Sequence, residues 1–154
     1  MAVMPIERGK IREYARATAA DRPAYVDALR PPVPPTFLAT VVFWEDLASV
    51  FAEPRLVEEL SRIGIVFDVH SLLSLEHEYI FHGPLPRAGD ELHTCLVLRE
   101  VTETPTRRGR MARVCFAVEF RDPDGVLRAE CRYTSGVFAD VTTSTHPTSS
   151  ITEA

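Results

Sequence analysis

His77 is the side chain with the most chemical potential in this sequence. Leu73, Leu75, His77, Tyr79 and Phe81 alternate with Ser74, Glu76, Glu78, Ile80 and His82. An imidazole on the first of these faces is either a hydrogen-bonded core or channel group, or a base or ligand contact near neutral pH. Glu76 and Glu78 turn the other way, toward solvent or a dimer-facing edge. His82 precedes Gly83-Pro84 and reads as structural, while His70 and His93 are isolated. No histidine pair has the one-helix-turn spacing of a metal site, so no metal is expected. Cys95, Cys115 and Cys131 are odd in number, widely spaced and set in strand-like segments. They read as reduced core or near-core thiols rather than as a disulfide or zinc set. Phe37, Phe43 and Trp44 share the most apolar run of the chain. They are core by default, and the alternative is that some of these rings line a ligand channel. Arg107, Arg108 and Arg110 surround a turn, where they are solvated or attract an anionic group.

These residues need elements to hold them. The run from Pro34 to Trp44 continues to Leu47, Val50 and Phe51 and has no clean polar face. Pro34-Pro35 suits a helix start, and Thr36 could cap the exposed amides. The length favours a helix over a strand. A helix that is apolar nearly all round must be enclosed by other elements. Before it, Ile11, Tyr14, Ala15 and Thr18 give a helix between Pro5 and Ala20, ended by Asp21-Arg22-Pro23. After it, Pro54 opens a helix with Leu56, Val57, Leu60 and Ile63 on its apolar face, and Gly64 stops it.

From about Val66 the period becomes two. Four long strands are expected: one through Leu73–Phe81, then 91–103, 110–121 and 126–140. Each joins the next by a breaker-rich turn, and Asp122-Pro123-Asp124-Gly125 has turn chemistry at every position. Helices first and hairpins after make this α+β. A very apolar helix beside a long antiparallel sheet suggests a sheet wrapped around a helix, the hot-dog architecture, with the helix on one face only.

The chain has 154 residues and a net charge of −5, which fits one ordinary globular domain. That domain is expected over 1–140, followed by a Thr- and Ser-rich disordered tail over 141–154. No basic stripe points to nucleic acid. No signal peptide and no membrane-length apolar run are present, so no membrane partner and a cytoplasmic location are expected.

Three stretches resemble one family. Ile6-Glu7-Arg8-Gly9-Lys10-Ile11-Arg12-Glu13-Tyr14-Ala15 resembles the opening of MaoC-like dehydratase domains. Pro34-Pro35-Thr36-Phe37 resembles the A-P-P-T-F that begins their central helix. Glu76 to Leu85, running into Arg87-Ala88-Gly89-Asp90, resembles their E-Q-E-F-E-Y-H-R-P-L…A-G-D strand. The likeness is nearest to the substrate-binding, non-catalytic subunit of actinobacterial heterodimeric (3R)-hydroxyacyl-ACP dehydratases. In the catalytic partner of such pairs, a G-D-x-N-P-x-H motif supplies an Asp and a His that add or remove water, because the reaction needs a base beside the thioester carbonyl and an acid at the hydroxyl.

The matching stretch here is Ala19-Ala20-Asp21-Arg22-Pro23-Ala24-Tyr25. Ala20 stands where the resemblance puts Asp, Arg22 where it puts Asn, and Tyr25 where it puts His. The resemblance therefore implies a pocket without the acid/base dyad, in a cofactor-free protein that binds an acyl-CoA or acyl-ACP thioester. It assigns substrate contacts to Pro35, Thr36, Phe37, Phe43, Trp44, His77 and Tyr79. A backbone amide at the start of the central helix would polarise the thioester oxygen. Asp21, Tyr25 and His77 remain as candidates for a shifted active site. The arginines of the turn would then meet phosphopantetheine or an acidic carrier protein. Dimerisation with a second copy or with a catalytic MaoC-like chain is implied. Two alternatives stand beside this: a free-standing natural-product enzyme with a reassigned site, and a homodimer that only binds a hydrophobic ligand.

Overall fold

A single antiparallel sheet carries most of the chain. The structure is a computed structural model and describes residues 2–107 and 109–139, so the expected tail and Arg108 lie outside the described residues. The strands are β1 (Val3–Pro5), β2 (Leu72–Phe81), β3 (Glu91–Thr106), β4 (Gly109–Arg121) and β5 (Leu127–Phe138), in the order β1-β3-β4-β5-β2. Two differences from the sequence reading follow. There are five strands, because Val3–Pro5 pairs along the outer edge of β3. And β2 does not form a hairpin with β3, but lies at the far edge against β5.

The two true hairpins follow from local chemistry. Gly109 takes a φ of 112°, which a side chain would resist, and lets β3 turn directly into β4. Between β4 and β5 the amide of Gly125 donates to Asp122 O, and the amide of Val126 to the Asp122 carboxylate. Leu75 is an extra residue in β2, and Arg99 one in β3, where the register slips. Such bulges bend a strand and increase its twist, so the sheet curls. The slip also removes Leu75 from the His77 face, where simple alternation had put it.

Helical segments fill the concave side. These are α1 (Arg8–Ala17), the short α2 (Pro23–Val26), α3 (Pro54–Arg62) and two of the three 3-10 segments among the described residues, Phe37–Phe43 and Leu47–Ala52, the third being Val69–Ser71. The expected apolar helix is therefore helical but not an α-helix. Thr40, Val41 and Val42 are β-branched in succession, which crowds an α-helical turn. The Thr40 hydroxyl donates to Phe37 O at 2.8 Å and competes for a carbonyl the α-helix would use. The amides of Ala39 and Trp44 close three-residue turns instead.

The segment is also enclosed on one side only. Phe37, Leu38 and Val41 are buried, each stabilising by roughly 1.5–3 kcal/mol. Phe43 is 80% exposed and Val42 52%. The Glu45 carboxylate ties the end of the segment to the sheet by accepting from the Thr94 hydroxyl and the Ala2 amide.

Phe37, Leu38 and Val41 pack with Val118, Phe120, Ala129 and Cys131. Leu56 and Leu60 of α3, with Ile63 just past its end, pack with Val114, Phe116 and Val137, while Val57 points outward. Gly64 ends α3 at a φ of 71°, as expected. The convex face carries charge. Glu130, only 4% exposed, accepts from Arg99 at 3.0 Å, His82 at 2.9 Å and Arg132 at 3.2 Å. Glu119 accepts from Arg99 and Arg121, both at 2.7 Å. Glu76 and Glu78 face this side, beside Arg113 and Arg132.

Candidate functional site

β2 and β5 bring four proton-bearing side chains together. In register, His77 lies opposite Tyr133, and Tyr79 opposite Cys131. Both pairs face the helical layer. His77 Nε2 is 3.0 Å from Cys131 Sγ, and His77 Nδ1 is 3.1 Å from the Tyr79 hydroxyl. The imidazole lies between two phenol rings, 4.5 Å from that of Tyr79 and 4.1 Å from that of Tyr133. Tyr133 in turn stacks on Phe116 at 5.0 Å and 8°. The Tyr133 oxygen is buried with no partner in hydrogen-bond geometry.

These groups are held neutral. Burial lowers the pKa of His77. Burial pushes the Cys131 thiol up to about 11, against smaller opposing interactions with Tyr133 and Tyr79. Tyr79 and Tyr133 are both raised, first by burial and then by Cys131. Near neutral pH the cluster therefore offers dipoles rather than charges.

The apolar candidates form a second feature. Phe37, Phe43 and Trp44 line a groove of about 510 Å³, with Tyr14 and Ala17 of α1, Thr40, and Lys10 and Glu13 at its rim. Tyr14 connects the two features. Its ring meets Phe37 edge-on at 5.5 Å. Its hydroxyl donates to Thr36 Oγ1 at 2.8 Å and to Thr36 O at 3.0 Å, and it interacts electrostatically with Tyr79. Thr36 is thus engaged by Tyr14 and makes no side-chain cap. Pro35 and Thr36 are exposed at the start of the segment, where the expected thioester contact would be.

The remaining candidates do not join this arrangement. Asp21 is exposed and its carboxylate lies 4.0 Å from Arg16. Tyr25 packs against the edge of the core. Among the described residues no hydrogen bond links Asp21 or Tyr25 to His77, and no three His, Cys, Asp or Glu residues could hold a metal ion. The turn that carries Asp21 begins with strain: Ala19 has a φ of 53° where the backbone leaves α1, and the Ala20 amide closes the helix end on Ala15 O at 2.7 Å. Glycine fits that conformation better. Ala19→Gly should raise the unfolding free energy by about 0.5–1 kcal/mol in urea titration.

Tyr14, Cys131 and Tyr133 were not singled out as site residues from sequence. The signal that would have found the last two is their spacing. Cys131-x-Tyr133 repeats on β5 the two-residue step of His77-x-Tyr79 on β2.

A family model described as FAS1-like, dehydratase domain region, matches residues 2–130. The chain belongs to this family. Solved structures agree on a MaoC-like hot-dog fold. The crystal structure of C-terminally truncated HadBC, a 3R-hydroxyacyl-ACP dehydratase complex from Mycobacterium tuberculosis, superposes with a TM-score of 0.57 at 21% identity, covering 87% of this chain and 89% of that one. The ChsH1-ChsH2 complex from Mycobacterium tuberculosis gives 0.62 at 15% identity, covering 88% and 84%. A structure described as a MaoC-like dehydratase gives 0.67 at 21% identity, and the 90% of this chain that aligns spans only 40% of its length. No curated protein matches the sequence. In this MaoC-like hot-dog domain, the curled sheet and the Phe37–Phe43 segment are the two parts between which a pocket is built. Among the described residues no helix is long and apolar enough to cross a membrane.

Proposed function

We propose that this chain is the acyl-thioester-binding half of a (3R)-hydroxyacyl dehydratase or hydratase, and that a second MaoC-like chain supplies the proton-transfer groups. One observation carries the reading: the turn that would hold the dyad has Ala20 and Tyr25 in its two key places, while the groove beside Phe37 and Trp44 is intact. Alanine transfers no proton, and Asp21, one place along, is turned out beside Arg16. The thioester head would lie at Pro35-Thr36-Phe37, with the acyl chain along the groove and His77 and Tyr79 at its sheet side.

Pairing is favoured by the shape of the sheet. Among the described residues β2 runs ten residues with one side unpaired, and at the opposite edge β1 covers only Glu91 to His93 of β3. A long open edge invites another strand, and a second MaoC-like chain would satisfy it. HadBC and ChsH1-ChsH2 are complexes of this kind, which supports a partner subunit here too. The working location would be the cytoplasm. The reassigned-site alternative draws on His77, but both of its ring nitrogens are engaged by Tyr79 and Cys131, which favours a binding role over that of a free base.

The test is hydration of a trans-2-enoyl thioester by the chain alone and after co-expression with a MaoC-like chain that has an intact G-D-x-N-P-x-H motif. The isolated chain should bind the thioester yet turn over about 10²–10⁴ times more slowly than the pair, the usual contribution of positioned acid–base groups. Equal turnover by the isolated chain would overturn the reading.

A further inference from the structure

The concave face holds an unusual neutral polar island. His77, Tyr79, Cys131 and Tyr133 sit among apolar side chains, with Phe116 behind Tyr133 and the Phe37 core cluster beside Cys131. The ion pairs of β2 and β5 belong to Glu76, Glu78, Arg128, Glu130 and Arg132, none of which is part of the island. The polar capacity of the island is not used up within it. Tyr133 Oη is buried and interacts with the Cys131 thiol, but no partner stands in hydrogen-bond geometry to it. Tyr79 meets His77 Nδ1 at 3.1 Å and interacts with Cys131, and its hydroxyl keeps a lone pair in either direction of the His77 hydrogen bond. His77 is exposed and Tyr79 half-buried on the concave face of β2, while Cys131 closes the back.

We propose that these four side chains form a binding site for an uncharged oxygen, a hydroxyl or ketone, carried by a ligand against the concave face. A hydroxyl or ketone oxygen can accept from Tyr79 or Tyr133, and a hydroxyl can also donate to Tyr79. A carboxylate or an ammonium would enter without a counter-charge, and desolvating an unpaired ion is far more costly than desolvating a neutral oxygen. The rings of Tyr79, His77 and Tyr133, tilted by 37° and 31° across His77 and backed by Phe116, give the carbon skeleton an aromatic surface to lie against. This inference goes beyond the thioester reading and stands without it, since it concerns one functional group and names no carrier.

The experiment uses four small probes of one size: cyclohexanol, cyclohexanone, cyclohexanecarboxylate and cyclohexylammonium. Binding to the full chain is followed by the ring ¹⁵N resonances of His77. The two neutral oxygen probes should shift both ring nitrogens, and the two charged probes should bind at least about tenfold more weakly. Tyr79→Phe, which keeps the ring, should weaken cyclohexanol by about fivefold, the worth of one neutral hydrogen bond. The wild-type His77 shifts decide the matter even if that variant folds poorly. Unshifted His77 with both neutral probes, or equal binding of charged and neutral probes, would overturn the inference. So would a folded Tyr79→Phe chain with unchanged affinity. None of these readouts involves a thioester, so the outcome is separate from that of the hydration assay.

Discussion

Replacing Glu130 with alanine should lower the unfolding free energy by about 3 kcal/mol. The carboxylate is nearly buried and gathers Arg99, Arg132 and His82. Removing one member of a buried charged group costs about 3–5 kcal/mol, because the others are left uncompensated. Arg99 and Arg132 are 37% and 41% exposed, so they can turn toward water, which places the loss at the lower end. The effect has a pH signature. Burial alone would raise the Glu130 pKa, but hydrogen bonds from Arg132 and His82 and the nearby arginine charges outweigh it, so the carboxyl sits below its ordinary value. A group with a depressed folded-state pKa stabilises above its unfolded pKa, and that stability is lost as pH falls through the folded value. Glu119, held down chiefly by its hydrogen bond from Arg121, acts in the same direction. The wild type should therefore lose stability in acid, and the gap between it and Glu130→Ala should close. Urea midpoints at neutral and acidic pH measure both. A gap that persists undiminished once the carboxyl is protonated would show that the ion cluster is not its source.

Phe37→Ala is the second large effect, at about 3–4 kcal/mol. Phe37 is 2% exposed, is part of the main core cluster, forms a wall of the groove and presents its ring to Tyr14. Truncation should leave a cavity and also free Tyr14 from its edge-on contact. Phe37→Leu refills most of the volume and should cost under about 1.5 kcal/mol. The two changes separate packing from ligand binding. Measured well below either unfolding temperature, affinity for a medium-chain acyl thioester should fall about tenfold in Phe37→Ala, equivalent to 1.4 kcal/mol, and much less in Phe37→Leu. Unchanged affinity in the alanine variant would place the acyl chain outside this groove.

Much of the fold was legible because it is local. The strand through Leu73–Phe81, the turn at Asp122–Gly125 and the stop at Gly64 each depend on a few adjacent residues, and each is found, although a bulge at Leu75 breaks the strand's alternation. What was missed is non-local. Alternation says which face a residue takes but not which strand lies beside it, so nothing near Leu72 announces β5 as its neighbour. Three residues at Val3–Pro5 are too few to show a period, and only their pairing with β3 makes them a strand. The 3-10 form of Phe37–Phe43 was hidden for another reason. An all-apolar run has no periodicity to read, and the crowding by Thr40, Val41 and Val42 decided the geometry. The site was legible in the same proportion. His77 and Tyr79 stand out on one strand, while Cys131 and Tyr133 gain meaning only from the β2–β5 register.

That register also sets the order in which the molecule can come into being. A nascent chain releases Leu72–Phe81 well before Leu127–Phe138, yet among the described residues the second is the only strand the first pairs with. Until the C-terminal strand leaves the ribosome, β2 has exposed backbone on both sides, and pairings distant in sequence are the slow ones to form. Mistakes at this stage expose an open strand edge to neighbouring chains. The His77–Cys131 contact spans the same two strands. The His77 cluster is thus assembled only after β5 has been made, and a chain cut short before Leu127 would keep the groove residues but lack Cys131 and Tyr133.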